Sequence, residues 1–555
     1  MNANSKTLDT LLVLPPMYQT GRIPDYNPKE PMGLMYLAAE LRRQGTTVEI
    51  LNADLSALTI EKTVGEIVAR PAAVIGFSVL QRALPSLQLI VEELRRRGVT
   101  SHICCGGVGA TLSAAHILEC LPGVDSIVFG EGELALAKLV TKVKHSQDLR
   151  SIPGLLIRQG EILYKTGRQN KPEIDALPVP VRDSLSICTA RTGYATIVGS
   201  RGCYAACTFC SNSEFERKSC GSGWRGRNPI AIVDEIEWLH HEYGVNAIKF
   251  NDPNLFGPGR RGEEHVNLLC QELIRRQLNK LHLMAFTRAS DLTAGNCRLL
   301  RQAGFERLLI GIETFESEAL HQLRKGETAE DIHRGLGHLV HANISIVPGF
   351  IIFNPYTTLA SLERDLAWLD SYKFTVILSK AMRIFDGTAL QAIMDQAGRL
   401  RQADPFEGYH QYTVDRDVAT VYACLKEVAV KWLNVVTRHY QDRFWDIKKS
   451  PSFSDRSEFY SLQKILYAIE SHLLRVLIGW VRDRNGSRRD VEQELNQIKR
   501  SLLDVELFLT GREPGQISGG VVSTLSVNEL TDNLLHLLIT RPHDTFPEKY
   551  RWAND

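Results

Sequence analysis

The sequence predicts an α/β protein in three parts: a doubly wound parallel sheet at residues 1–145, a partial barrel of six strand–helix units at 191–400, and a mostly helical region at 401–555. Short apolar runs alternate with helical patterns twice over, as parallel strands joined by crossover helices require. A stretch rich in proline and polar residues, 146–190, separates the two series and reads as a linker. Beyond residue 400 the alternation gives way to helical periodicity.

In the first part, Thr10 to Leu14, Val48 to Asn52, Ala73 to Ser78, Ser101 to Cys105 and Ser126 to Val128 read as strands. Pro31 to Arg43, with Leu34, Leu37, Ala38 and Leu41 on one face, reads as a helix, as do Thr63 to Val68 and Ser86 to Arg97. Open sheets of this kind bind ligands at the carboxyl ends of their strands. Those ends are Gly76-Phe77-Ser78-Val79-Leu80, Cys105-Gly106-Gly107-Val108-Gly109 and Phe129-Gly130-Glu131-Gly132-Glu133. Glycines there admit a large flat or phosphorylated ligand, although they also simply close βα units.

The connection contains Ile152-Pro153-Gly154, a polar hairpin-like stretch and Leu177-Pro178-Val179-Pro180. The barrel strands are expected at Ala195 to Val198, Ala247 to Phe250, Leu281 to Phe286, Arg307 to Ile312, Ser345 to Phe353 and Val376 to Leu378. Helices at Ile230 to Tyr243, His265 to Arg276, Leu292 to Ala303, Ala329 to His341 and Leu359 to Leu369 lie between them. Active residues then belong at the carboxyl ends of the strands. The first strand runs into Cys203, Cys207 and Cys210, spaced C-x3-C-x2-C. A cubane iron–sulfur cluster normally takes four thiolates, so three leave one iron open to a ligand that is not protein. A closed tetrahedral zinc site is the plainer alternative, and Cys188 and Cys220 lie near enough in sequence to add a fourth sulfur. Other strand ends are polar: Asn251-Asp252, Arg288, Glu313 and Asn354, all of which serve equally well as caps or ion-pair partners. Arg383 either meets an anionic group or closes the barrel with Asp386.

At 555 residues with a net charge of +1, the chain has room for several cores and no global field for nucleic acid or anionic lipid. Eleven scattered cysteines read as reduced thiols plus one metal loop. Met1 to Thr10 lacks an apolar signal core, and Leu473 to Trp480 is too short for a bilayer span. A cytoplasmic protein is expected, with no nucleic-acid or membrane partner. In the last part Asp415 to Tyr440, Glu458 to Arg482 and Asp490 to Leu509 read as helices, with loops at Ser450 to Ser457 and Gly511 to Gly520. Trp432, Phe444, Trp445, Phe453, Tyr460, Tyr467 and Trp480 are expected mostly in the core.

The cysteine loop after a strand resembles the signature of radical S-adenosylmethionine (radical SAM) enzymes, and Phe209 matches the aromatic residue that this family places near the adenine. The resemblance implies a [4Fe-4S] cluster on Cys203, Cys207 and Cys210 whose open iron is chelated by S-adenosylmethionine. Reductive cleavage then gives a 5′-deoxyadenosyl radical. The family's glycine-glycine-glutamate element is absent after the second strand, where Asn251 and Asp252 stand instead. Arg288 would meet the methionine carboxylate, Glu313 the ribose or amine, and Asn354 the neighbourhood of the adenine. The first part resembles the Rossmann-like cobalamin-binding domain that often precedes such barrels, with Ser78 and Leu80 as its S-x-L element and Gly106 and Gly107 as its Gly-Gly element. Gly130 and Glu131 belong to the familiar run at its end. The family's histidine loop falls near Asp54 to Thr59, where there is no histidine. The resemblance therefore implies cobalamin without a protein histidine on cobalt, or else a relic domain.

Together these imply a cobalamin-dependent radical SAM methyltransferase. Its substrate would be an unactivated carbon or phosphorus centre of a small-molecule or natural-product intermediate. A reductase, flavodoxin or ferredoxin would be the electron donor. The alternative is the same cofactor set used for a rearrangement, cyclisation or oxidation, and a third is a cobalamin and cluster sensor. No side chain is singled out as a catalytic acid or base.

Overall fold

The computed structural model describes residues 7–17, 30–219, 223–401, 410–440, 457–484, 486–510, 520–540 and 545–546. Cys220, Phe444, Trp445 and Phe453 lie outside the described residues, as do most of the two loops expected at 450–457 and 511–520.

Seven strands build the first sheet: β1 (Leu8–Leu14), β2 (Val48–Asn52), β3 (Ala72–Ser78), β4 (His102–Gly106), β5 (Ser126–Val128), β6 (Leu155–Gln159) and β7 (Ile162–Lys165). Their spatial order is β2-β1-β3-β4-β5-β6-β7. β1 to β5 are parallel and β6 and β7 antiparallel. The segment expected as linker thus supplies the last two strands, because Leu155, Leu156 and Ile157 are apolar enough to be buried in β6, between β5 and the edge strand β7. Along β1 the two-residue period of a strand sends Leu11 and Val13 into one core and Leu12 and Leu14 into another. The first core packs under helices Ile60–Val68, Leu84–Arg96 and Ala114–Cys120. The second packs under Met32–Arg43 and Glu133–Lys144.

Helices on both faces leave the carboxyl ends of β1, β3, β4 and β5 open. The turn after β4 requires glycine twice. Gly107 has φ +92°, and a Cβ on Gly109 would lie 2.8 Å from the backbone nitrogen of Gln81.

The second sheet contains β8 (Ala195–Ile197), β11 (Ala247–Phe250), β12 (His282–Thr287), β13 (Phe305–Glu313) and β14 (Ser345–Phe350), all parallel in the order β14-β13-β12-β11-β8. A short antiparallel pair, β9 (Ser200–Arg201) and β10 (Arg225–Gly226), sits beside it. Ile248, Phe250, Leu283, Leu308 and Ile310 face the surrounding helices, whereas Tyr194, Ala247 and Met284 form a separate cluster with Leu309 and Val347. The sixth strand expected at Val376 to Leu378 does not form. A single bridge, Phe353 to Ala381, takes its place, and the Leu378 N–H donates to Glu470 Oε2 at 2.7 Å. A side chain of the C-terminal region therefore takes a backbone group that a neighbouring strand would otherwise have paired.

Helices Arg416–Val428, Ser457–Asp483, Arg488–Thr510 and Val527–Thr540 fill the last part. Their apolar faces join the barrel helices in one hydrophobic cluster that includes Phe353, Tyr422, Leu473 and Leu530. Trp432 is buried there, and Tyr460, Tyr467 and Trp480 pack against it. Among the described residues no helix is long and apolar enough to cross a membrane.

Four buried charges join the parts. Arg182 donates to Glu30 at 3.0 Å, to Glu235 at 2.6 Å and to the Thr196 carbonyl at 2.8 Å. Arg227 donates to the other oxygen of Glu235 and to the Val198 carbonyl, both at 2.7 Å.

Replacing Gly109 with alanine forces a methyl group against the Leu80–Gln81 backbone. A loss of about 1–3 kcal/mol is expected, read as a lower denaturant midpoint at unchanged slope.

Candidate active site

Asp252, at the end of β11, accepts from the Gly199 N–H at 2.8 Å and from the Ser200 hydroxyl at 2.9 Å. It thereby fixes the turn from β8 into β9. Arg201 and Gly202 follow, and then the cysteine loop. Thr208 N–H donates to the Leu323 carbonyl at 3.0 Å, the Leu390 N–H donates to the Thr208 carbonyl at 2.8 Å, and the Cys210 N–H donates to the Cys207 carbonyl at 3.2 Å. The loop is thus pinned from two sides. Cys207 is buried, Cys203 and Cys210 are half-buried, and all three are free thiols. Burial pushes the Cys203 and Cys207 thiols up, and Lys325 and Arg288 partly offset this at Cys207.

No three His, Cys, Asp or Glu side chains among the described residues are gathered tightly enough for a single metal ion. A cubane does not ask for that, since each thiolate takes a different iron. Cys188 does not join the loop: its sulfur lies in helix Leu185–Thr192, 3.8 Å from the Thr192 hydroxyl.

Beside Cys207 lies a buried array of charge. Arg288 Nη1 is 3.7 Å from Cys207 Sγ. Its Nη2 donates to the Lys325 carbonyl and lies 3.4 Å from Glu327. Lys325 Nζ stands 3.3 Å from Glu327 and 3.7 Å from Glu313. Glu313 occupies φ +66°, a backbone region that non-glycine residues enter at a cost of about 1–3 kcal/mol. The corner is held by Asp365, which accepts from the Phe315 N–H and the Thr314 hydroxyl, each at 2.9 Å. Burial pushes the Asp365 carboxyl up to about 7 against the pull of those two donors. Lys325 and Glu327 were not singled out from the sequence, where the charged and glycine residues of Lys325-Gly326-Glu327 are the only signal.

Between the two sheets lies a cavity of about 610 Å³. Ser78, Leu80, Gly106, Gly107, Gly130 and Glu131 all border it from the first sheet. Asn251, Asp252, Ser200, Arg201 and Gly202 border it from the second, with Asn212 and Phe215 of the helix that follows the cysteine loop. Met17 also lines it, its N–H donating to Asp54 at 3.2 Å. No histidine is among the described residues of the wall.

Three expected contacts take another form. Both Asp252 oxygens are held by Gly199 and Ser200, so its carboxylate fixes the turn rather than standing open for an amine. The Asn354 side-chain oxygen accepts from the Tyr356 N–H at 3.0 Å within its own turn, and the Asn354 backbone N–H donates to the Thr357 hydroxyl at 2.9 Å. Glu131 accepts from Arg201 at 2.8 Å and from Arg225, across the junction between the sheets. Phe209 is half-buried against the barrel core.

A family model described as B12 binding domain matches residues 26–140, and one described as Radical SAM superfamily matches residues 197–369. The chain is a radical SAM protein with a B12-binding domain. It is 29% identical over 340 residues to the anaerobic magnesium-protoporphyrin IX monomethyl ester cyclase of Synechocystis sp., covering 57% of this chain and 64% of that one. It is 26% identical over 337 residues to the hopanoid C-3 methylase of Methylococcus capsulatus, covering 58% and 61%. The chain therefore spans less than two thirds of the length of either relative. A structure of the cobalamin-dependent S-adenosylmethionine radical enzyme OxsB, with aqua-cobalamin and S-adenosylmethionine bound, superimposes with a TM-score of 0.72 at 18% identity over 96% of this chain and 84% of that one, which shows the fold.

The cofactors of such a protein are a [4Fe-4S] cluster, S-adenosylmethionine and cobalamin. The residues present fit them. Three free thiols on one pinned loop, with cations beside them, suit the cluster. A cavity walled by Gly76, Gly106, Gly107, Gly130 and Gly132 at the ends of parallel strands suits a wide, flat macrocycle.

Two outcomes follow from this geometry. Changing Cys203, Cys207 or Cys210 to alanine is expected to drop anaerobically reconstituted iron from about four per chain to below one, read by iron and sulfide assay. Asp365, with a folded value near 7 and an unfolded value of 3.8, holds a proton in the folded state that the unfolded chain has released. Its contribution is therefore fully present below the unfolded value and is lost as pH rises through about 7. The thermal midpoint of the wild type should fall relative to that of Asp365→Asn between about pH 4 and about pH 7 and level off above.

Proposed function

We propose that this chain is a cobalamin-dependent radical SAM enzyme that transfers a methyl group to an unactivated carbon, or to phosphorus, of a small molecule or natural-product intermediate. The observation that carries this reading is the shared cavity. The glycine ends of the first sheet and the segment leading into the cysteine loop face one space, so two reactive groups and a substrate can meet there. When bound, the cofactors supply a 5′-deoxyadenosyl radical to remove hydrogen and a methyl group to replace it.

The chain's own residues hold and orient. Cys203, Cys207 and Cys210 would hold the cluster. Ser78, Leu80, Gly106, Gly107 and Gly130 would cradle the corrin. Arg288 and Glu313 would meet the methionine and ribose ends of S-adenosylmethionine, with Asn251 toward the amine and Phe209 toward the adenine. The apolar part of the wall, Leu12, Leu14, Leu37 and Phe286, excludes water from the reacting groups. A reductase, flavodoxin or ferredoxin would supply electrons, and the need for reduced thiols supports a cytoplasmic location.

A second reading has its own support. The Synechocystis relative is a cyclase, so a ring closure run on the same cofactors competes with methyl transfer.

The deciding experiment is anaerobic reconstitution with iron, sulfide and hydroxocobalamin, followed by turnover with S-adenosylmethionine and candidate acceptors. About four irons and one cobalt per chain are expected, with S-adenosylhomocysteine and 5′-deoxyadenosine formed together. 5′-Deoxyadenosine alone would favour the cyclase-like reading, and iron without cobalt would overturn both.

A further inference from the structure

Arg201 stands two residues before the first cluster cysteine and touches three residues that wall the cavity. Its Nη1 donates to Glu131 at 2.8 Å, its Nη2 donates to Glu133 at 2.7 Å, and its guanidinium carbon lies 4.8 Å from the centre of the Tyr36 ring. All three partners belong to the first sheet's helices and loops, while Arg201 belongs to β9 on the barrel side. The side chains of Glu131 and Glu133 are only 6% and 4% exposed.

Two polar atoms here are left over. Glu133 Oε2 and the Tyr36 hydroxyl are both buried with no hydrogen-bond partner, and both residues line the cavity. A buried acceptor without a donor is costly, and so is a buried hydroxyl without an acceptor. One an acceptor and the other a donor, they ask for an occupant that offers both. The rim of a corrin is studded with carboxamides, whose N–H groups suit Glu133 Oε2 and whose carbonyls suit the Tyr36 hydroxyl.

We infer that Glu133 is a positioning residue that joins the cobalamin site to the cluster loop: one carboxylate oxygen receives a donor from the cavity's occupant while the other holds Arg201, so that filling the cavity steadies the segment leading into Cys203. The inference rests on the reading of the cavity as the cobalamin site. It goes beyond that reading by giving the two cofactor sites a shared residue. Glu131 does not share this role, because its two oxygens are taken by Arg201 and Arg225. Coupling of this kind is reciprocal, so the cobalamin cavity should also feel whether the cluster loop is loaded.

The test uses protein reconstituted with iron and sulfide and measures the rate of iron loss to a chelator, with and without saturating hydroxocobalamin. Wild-type protein is expected to lose iron about fivefold more slowly, or slower still, when cobalamin is bound. In Glu133→Gln that ratio should fall to within about twofold while cobalamin binding persists in equilibrium dialysis. A merely structural defect would hasten iron loss equally in both states and leave the ratio intact. Arg201→Lys keeps the charge but cannot span both carboxylates, and it should also lose the ratio, so it decides the matter if Glu133→Gln does not fold. A ratio preserved in both variants overturns the bridge, as does a wild-type protein that binds cobalamin with no change in iron loss. A wild-type protein that binds no cobalamin overturns the cofactor reading itself, and the bridge with it.

Discussion

The buried chain of Arg182, Glu30, Glu235 and Arg227 fixes how the two sheets meet. Its two acids and two bases are almost wholly withdrawn from water, with side-chain exposures of 2%, 0%, 0% and 8%. Charges so placed are tolerated only when paired, and removing one partner of such a set costs about 3–5 kcal/mol. Glu30 enters helix Met32–Arg43, Arg182 ends the proline-rich connection, and Glu235 lies in helix Pro229–Tyr243. The guanidinium groups also hold the carbonyls of Thr196 and Val198 on either side of the end of β8. Displacing either sheet would strand a charge, so the strand that leads to the cysteines has little freedom relative to the first domain.

That constraint explains the division of labour at the site. The first sheet contributes shape: glycines at φ values or close approaches that a side chain would block, and few polar groups. The barrel contributes charge. Arg288, Lys325, Glu327 and Glu313 form a dry array beside Cys207 in which each charge has an opposite neighbour. Such an array stays in place without a ligand, and little rearrangement is needed when one arrives. The positive φ of Glu313, imposed at a register shift in β13 and secured by Asp365, is the local strain that this arrangement carries.

Much of this was legible in the sequence. The cysteine spacing, the two strand–helix series and the glycine turns are local patterns, and each follows from residues a few positions apart. Ser78, Leu80, Gly106, Gly107 and Gly130, which border the cavity, are singled out by sequence because backbone approach demands particular residue types at particular places. Asn354 and Asp252 are singled out on residue type too, and here each bonds nearby backbone. Both are residues that satisfy nearby backbone groups, and nothing in a strand-end sequence tells that duty from contact with a ligand. The sixth barrel strand failed because its Leu378 N–H found a glutamate 92 positions away, in a helix that local pattern could not place.

What the sequence determined by itself was chemistry and layer order. Three thiols at C-x3-C-x2-C suit a cluster loop, period-two burial dictates the sheets, and glycine dictates where a ligand can come close. Only the tertiary structure decided which charges meet. Arg201 gives no local sign of being bound to Glu131 and Glu133, some seventy residues earlier, and Lys325 none of standing between Glu313 and Glu327 beside Cys207. Ion pairing is directional and acts over a few ångströms of space, whereas the distance along the chain between partners is free to take any value.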